Sequence, residues 1–162
     1  MVRISLGCDH AGYSLKQEIL GLLSRLGHET QDRGCFSELS VDYPDFAALV
    51  CDDVVGVEAD LGILICGSGI GMSIAANKRC GVRAALCHDT YSAKMSRQHN
   101  DANVLCLGQR IVGVGLALEI VTAWLENEFA GGKHALRLQK IAEQETINKT
   151  CRGADDSEFK VN

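Results

Sequence analysis

No apolar stretch of this sequence approaches the roughly 20 residues needed to cross a bilayer, so no membrane span is expected. The opening residues, MVRISLGCDH, reach a charged pair too soon for a signal peptide. The closing FKVN is neither a retention nor a peroxisomal signal, and the expected setting is the cytoplasm. Positive charge is also scarce: 16 Lys and Arg against 21 Asp and Glu leave a net charge of -5. An acidic chain repels phosphate backbones and anionic headgroups, which excludes general binding to nucleic acid or membrane surfaces. Any phosphate it takes must be met by a local cluster of cations. Proline occurs once, at Pro44, and neither a linker nor an internal repeat interrupts the chain. None of the eight cysteines (Cys8, Cys35, Cys51, Cys66, Cys80, Cys87, Cys106 and Cys151) forms a C-x-x-C pair. With no export signal they are expected as reduced thiols, most of them acting as small buried hydrophobes.

What is present has the balance of a globular chain: 46% apolar and 23% charged residues. The 162 residues suffice for one domain with a real core and are too few for two. Apolar runs of strand length alternate with segments of helical period. Strands are predicted at residues 2–8, 28–32, 60–66, 82–87 and 103–107. Between them, Leu15, Ile19, Leu22, Leu23 and Leu26 mark one face of a helix closed by Gly27. Pro44 suits the first turn of a second helix running to about Val55. A third helix passes through Ala75 and Ala76, and a short one covers residues 92–98. Val114, Ala117, Leu118, Val121, Trp124 and Leu125 define a fifth, and the last begins near Gly132. His88 is read as a cap of the helix that follows it. Such alternation predicts an α/β fold, a parallel sheet covered by helices on both faces. A single domain is expected over residues 1–149, with a loose polar tail at 150–162.

In sheets of this kind ligands bind where strands end and helices begin. The sharpest local signal fits that rule: GILICGSGIGMS, residues 62–73, delivers Cys66 from a buried strand into a turn of Gly67, Ser68, Gly69, Ile70 and Gly71. Glycines allow several N–H groups to converge there, an arrangement that stabilises an anion and favours thiolate. A dinucleotide loop would need G-x-G-x-x-G, and here Met72 fills the sixth place. The alternative is a tight turn behind a buried cysteine. Asp9-His10 follows the first strand, as a helix cap with a solvated histidine or as part of a site. His99 and Asn100 lie between a helix and the fifth strand, at the end of the sheet opposite Cys66. Only a second copy of the chain could bring them to Cys66. Arg110 follows the fifth strand, and Lys133 and Arg137 lie four apart at the start of the last helix. Two cations there call for an anion between them, unless the face is simply solvated. No ligand spacing characteristic of zinc occurs, so no metal is expected.

Taken in order, GCDHAG, DYPD, ILICGSGIGMSIAANK, YSAKMSRQHNDANVLCLGQRIVG and AGGKHALR resemble the ribose/galactose isomerase family, and within it the type B ribose-5-phosphate isomerases. The resemblance runs from about residue 4 to residue 140. It implies a Rossmann-like three-layer α/β/α sandwich with five parallel strands. It also implies a homodimer, or a dimer of dimers, with each site at the subunit interface, and a metal-independent, cofactor-free aldose–ketose isomerisation of the pentose phosphate pathway. By the same resemblance Cys66 is the base, His99 opens the sugar ring and Asp9 assists. Gly67, Ser68, Gly69 and Gly71 surround the intermediate, Asn100 contacts it and Tyr43 lines the pocket. His10, Arg110 and Arg137 bind phosphate together with Lys133, which stands where the family commonly has arginine. Lysine keeps the charge and loses the two-pronged grip. The alternatives within this chemistry are galactose 6-phosphate and allose 6-phosphate as substrates. Outside it they are a non-catalytic sugar-phosphate or nucleotide binder and a zinc hydrolase.

Overall fold

The computed structural model describes residues 1–152, with side chains to residue 146. The strands are β1 (Arg3–Cys8), β2 (Glu29–Asp32), β3 (Leu61–Cys66), β4 (Ala84–Leu86) and β5 (Val104–Gly108). The helices are α1 (Tyr13–Arg25), α2 (Tyr43–Val55), α3 (Ile70–Ala76), α4 (Thr90–Asn100), α5 (Val114–Leu125) and α6 (Lys133–Arg152). Among the described residues the five strands form one parallel sheet in the order β2-β1-β3-β5-β4. The chain divides into two compact units, Met1–Phe129 and, from Ala130 on, a unit carrying α6. Because α6 runs to Arg152, the expected tail lies outside the described residues from 153 onward.

Two apolar layers hold the first unit together. On one face Ile4, Leu6, Ile63, Ile65, Leu105 and Leu107 pack with Leu15, Ile19 and Leu23 of α1 and with Ala117, Ile120, Val121 and Trp124 of α5. On the other, Leu64, Cys66, Val104 and Cys106 meet Ala47, Val50 and Cys51 of α2 and Met72 and Ala76 of α3. Successive strand residues point to opposite faces, so β3 feeds both layers and is buried along its whole length. Each fully buried aliphatic side chain contributes about 2 kcal/mol of hydrophobic stabilisation. The three-layer α/β/α architecture expected from the alternation is the one observed.

The differences are local. Strand β4 is three residues where six were expected, and α4 is longer at both ends than the run at 92–98. Asp89, not His88, caps α4, its carboxylate accepting from the Ser92 amide at 2.7 Å. A short carboxylate reaches that amide directly, whereas His88 stands one residue too early. Buried Lys16 was not foreseen. Its ammonium donates to both Asp32 oxygens at 2.6 and 2.8 Å and to the Cys35 carbonyl at 2.8 Å, tying α1 to the end of β2.

Candidate active site

The strand order reverses direction between β1 and β3, the place where such sheets open a crevice at their carboxyl ends. A cavity of about 410 Å³ lies there, lined by Asp9, His10, Ala11, Tyr43, Cys66, Gly67, Ser68, Gly71, Arg110 and Ile111. Eight of these were singled out in the sequence. Ala11 and Ile111 were not, although each adjoins a residue that was.

The glycine turn is shaped around the thiol. Cys66 ends β3 and is 5% exposed. The Gly69 amide donates to its Sγ at 3.1 Å, closing a three-residue loop. Gly69 has φ +78°, and a Cβ there would lie 2.5 Å from Leu86 and 2.9 Å from the Leu107 carbonyl carbon. Both the left-handed backbone and the close approach require glycine. Gly69 was expected among substrate-binding residues, but it is buried beneath the loop and absent from the cavity lining. Its part is to hold the sulfur. Gly71 is different: a Cβ on it would meet the Tyr43 ring at 2.8 Å, so its lack of a side chain lets the ring lie against the loop. Ser68 Oγ accepts from the Ile70 amide at 3.3 Å, which leaves its own proton for the cavity.

Neighbouring strands fix this loop in place. The Gln109 and Arg110 amides donate to the Cys66 and Gly67 carbonyls, each at 2.9 Å. The Gln109 side chain accepts from the Leu15 amide at 2.8 Å, joining the end of β5 to the start of α1. Gln109 was noted only for its place after the fifth strand, and no spacing rule marks such a brace. The Asp9 amide donates to the Ile65 carbonyl at 3.1 Å, and its carboxylate accepts from Ala11 at 2.9 Å. Asp9 is thus a cap that also lines the cavity. The Arg110 side chain passes over Gly67, 3.5 Å from where a Cβ would stand. Among the described residues it has no carboxylate partner.

The other thiols differ in kind. Burial pushes the Cys51 and Cys87 thiols up to about 11 and raises those of Cys8 and Cys106 as well. Thiols held protonated in this way are inert at neutral pH, as the reading of Cys8, Cys87 and Cys106 as core residues implied. Of the remaining candidates, His99 and Asn100 are exposed at the end of α4, at the edge of the sheet away from Cys66. Lys133 and Arg137 stand one turn apart on α6 in the second unit, where with Leu136 and Lys140 they line a shallow groove on that helix. Among the described residues, no three His, Cys, Asp or Glu side chains are grouped to hold a metal ion. No helix there is long and apolar enough to cross a membrane.

Known proteins are similar to this chain in sequence and in fold. The Ribose/Galactose Isomerase family model matches residues 4–141. Ribose-5-phosphate isomerase B of Escherichia coli is 51% identical over 141 residues, 87% of this chain and 95% of that one. D-erythrulose-4-phosphate isomerase of Pectobacterium atrosepticum is 43% identical over 151 residues, 92% of this chain and 99% of that one. Among solved structures, ribose-5-phosphate isomerase B of Clostridium thermocellum superposes with a TM-score of 0.89 at 53% identity, covering 90% of this chain and 99% of that one. The glycine turn, the strand-end cavity and the family match over most of the chain agree, and this protein belongs to the ribose/galactose isomerase family.

Proposed function

We propose that this isomerase interconverts ribose 5-phosphate and ribulose 5-phosphate, with Cys66 as the base. The observation that carries the reading is the thiol at the end of β3. It faces a cavity shared with a carboxylate, an imidazole and a guanidinium, and it accepts a backbone N–H in a loop built to hold it. Thiolate is the competent form of such a base. In the proposed reaction the sugar binds mostly as a closed ring, and His99 moves the ring proton to expose the aldehyde. The Cys66 thiolate takes the proton from C2, and the electron pair moves to the carbonyl oxygen as the enediolate forms. The backbone amides of the turn and the Ser68 hydroxyl donate to that oxygen as its charge develops. The proton returns to C1 while the 2-hydroxyl proton passes to the C1 oxygen and the C2 carbonyl forms, and the ketose leaves. Asp9 assists the transfers. Arg110 and His10 hold the phosphate, supplying binding energy away from the reacting carbons; Lys133 and Arg137 are further candidate cations on α6. Each step uses a side chain or amide of the protein itself.

His99 and Asn100 reach Cys66 only from another copy of the chain, which supports a homodimer with composite sites. Several large apolar residues stand exposed at the carboxyl edge of the sheet: Ile70 at 52%, Tyr91 at 72%, Ile111 at 55% and Val114 at 48%. A partner covering that edge would bury them. A second reading of the substrate, D-erythrulose 4-phosphate, is favoured by the 43% identity to an isomerase of that name. The decisive assay follows product formation in chelator-treated buffer from ribose 5-phosphate, allose 6-phosphate, galactose 6-phosphate and D-erythrulose 4-phosphate. Wild type and Cys66→Ala are compared side by side. The proposal expects turnover of ribose 5-phosphate by wild type and a loss of about 10³-fold in the variant. A wild type silent on ribose 5-phosphate removes the substrate assignment, and an active variant removes the base.

A further inference from the structure

The chain between β2 and α2, residues 33–42, is anchored to β1 and α1 at several points. Lys16 holds the Cys35 carbonyl at 2.8 Å, the Cys35 amide donates to the Cys8 carbonyl at 2.8 Å, and the Cys8 amide donates to Gly34 at 2.7 Å. The Ser14 hydroxyl reaches the Glu38 carboxylate at 3.3 Å. The segment so held delivers one backbone group to the site: the Val41 amide donates to His10 Nδ1 at 3.2 Å. A ring nitrogen that accepts carries no proton, so the single N–H of this imidazole lies on Nε2. A hydroxyl or a carboxamide could rotate to suit either tautomer. A backbone amide can only donate, and it selects one.

Resting on the isomerase reading above, we infer that Val41 is a positioning residue: its amide fixes His10 as a one-proton donor that presents Nε2–H to a phosphate oxygen of the bound sugar phosphate. An imidazolium would set a second N–H against the Val41 amide, donor against donor. The other titratable groups sharing the cavity are Asp9 beside His10, Tyr43 at the start of α2, Cys66 at the end of β3 and Arg110 after β5. Arg110 then supplies charge to the phosphate, while His10 supplies direction and one hydrogen bond. The anchors on residues 33–42 gain a purpose in this arrangement, since they hold the amide that holds the ring.

Long-range proton–nitrogen correlation spectra of histidine-labelled protein read the tautomer directly at about pH 8, above the ordinary histidine pKa. His10 is assigned by its absence from His10→Asn. The expected result is an unprotonated Nδ1 and a protonated Nε2. In Cys66→Ala, whose substrate is not consumed, Nε2 shifts as ribose 5-phosphate is added. A proton on Nδ1 overturns the assignment. An Nε2 signal unmoved at saturating ribose 5-phosphate overturns the donor role. Neither outcome alters whether wild type forms ketose, which tests the isomerase reading on its own. Val41→Pro removes the amide proton, and KM should rise about fivefold with kcat within about twofold, alongside mixed tautomers. A folded variant with unchanged KM and tautomer contradicts the positioning role, and if the variant does not fold, the wild-type tautomer decides alone.

Discussion

The two edges of the sheet carry similar residue types and treat them in opposite ways. At the amino edge, charges are spent on one another. Arg3 pairs with Asp60 at 2.6 Å, Arg83 with Asp101 at 2.9 Å and Arg97 with Asp101 at 3.0 Å. The Asn103 amide bridges Arg83 and Gly81. At the carboxyl edge Arg110 has no such partner among the described residues, and backbone amides converge on a thiol and a serine hydroxyl. Carboxylates and guanidiniums that hold one another offer little to a ligand, although the buried Arg97 Nε has no hydrogen-bond partner among the described residues. An edge whose donors and cations are left for a guest is where chemistry can occur. His99 and Asn100 complicate the contrast, because they are site candidates located at the closed edge. The proposed composite dimer would resolve this by bringing one copy's closed edge to another copy's open one.

Substitutions can break this comparison. The largest effect is expected from Gly69→Ala, which puts a side chain into a left-handed backbone and against Leu86 and Leu107. Displacing the amide that holds the sulfur should lower kcat about 10²-fold, with a stability loss of about 2 kcal/mol. Steady-state kinetics and thermal unfolding check both parts, and an unimpaired kcat would mean that the thiol does not depend on the loop. Arg110→Ala should raise KM about 30-fold and change kcat far less, as expected for losing a charge-assisted phosphate contact. An equal fall in kcat at constant KM would instead place Arg110 in the chemical step. At the closed edge Asp60→Asn breaks a pair whose side chains are 42% and 45% exposed. Its unfolding midpoint should move by no more than about 2 °C, with kinetics unchanged, and a larger shift in either would give that edge a role the comparison denies it.

Much of this was legible in the sequence because periodicity and punctuation are local. The unbroken apolar run of β3, the stripe from Leu15 to Leu23 and the closing Gly27 each report on a few neighbouring residues, and each fell within a residue or two of its observed place. The short β4 was harder, since apolar Val82 and Cys87 prolong the run on either side of the three ladder residues. The cavity residues were legible where they follow a strand directly, as Asp9, His10, Cys66 and Arg110 do. What escaped depends on contacts between distant segments. Gln109 acts across 94 residues on Leu15, and Val41 across 31 residues on His10. Buried Lys16 looks in sequence like any surface lysine of a helix, and only the fold shows Asp32 and Cys35 waiting for it. Gly69 was legible as a glycine of the turn, while its task of holding the sulfur from beneath needed the backbone angle.

The composite site is tested most directly by co-expressing Cys66→Ala and His99→Ala, each nearly inactive alone. If one copy supplies the thiol and another the imidazole, half of the dimers are mixed and each mixed dimer has one intact site, so the preparation should recover about a quarter of wild-type turnover. Activity no greater than the sum of the two variants, with mixed dimers shown to be present, would contradict a site shared between the two edges.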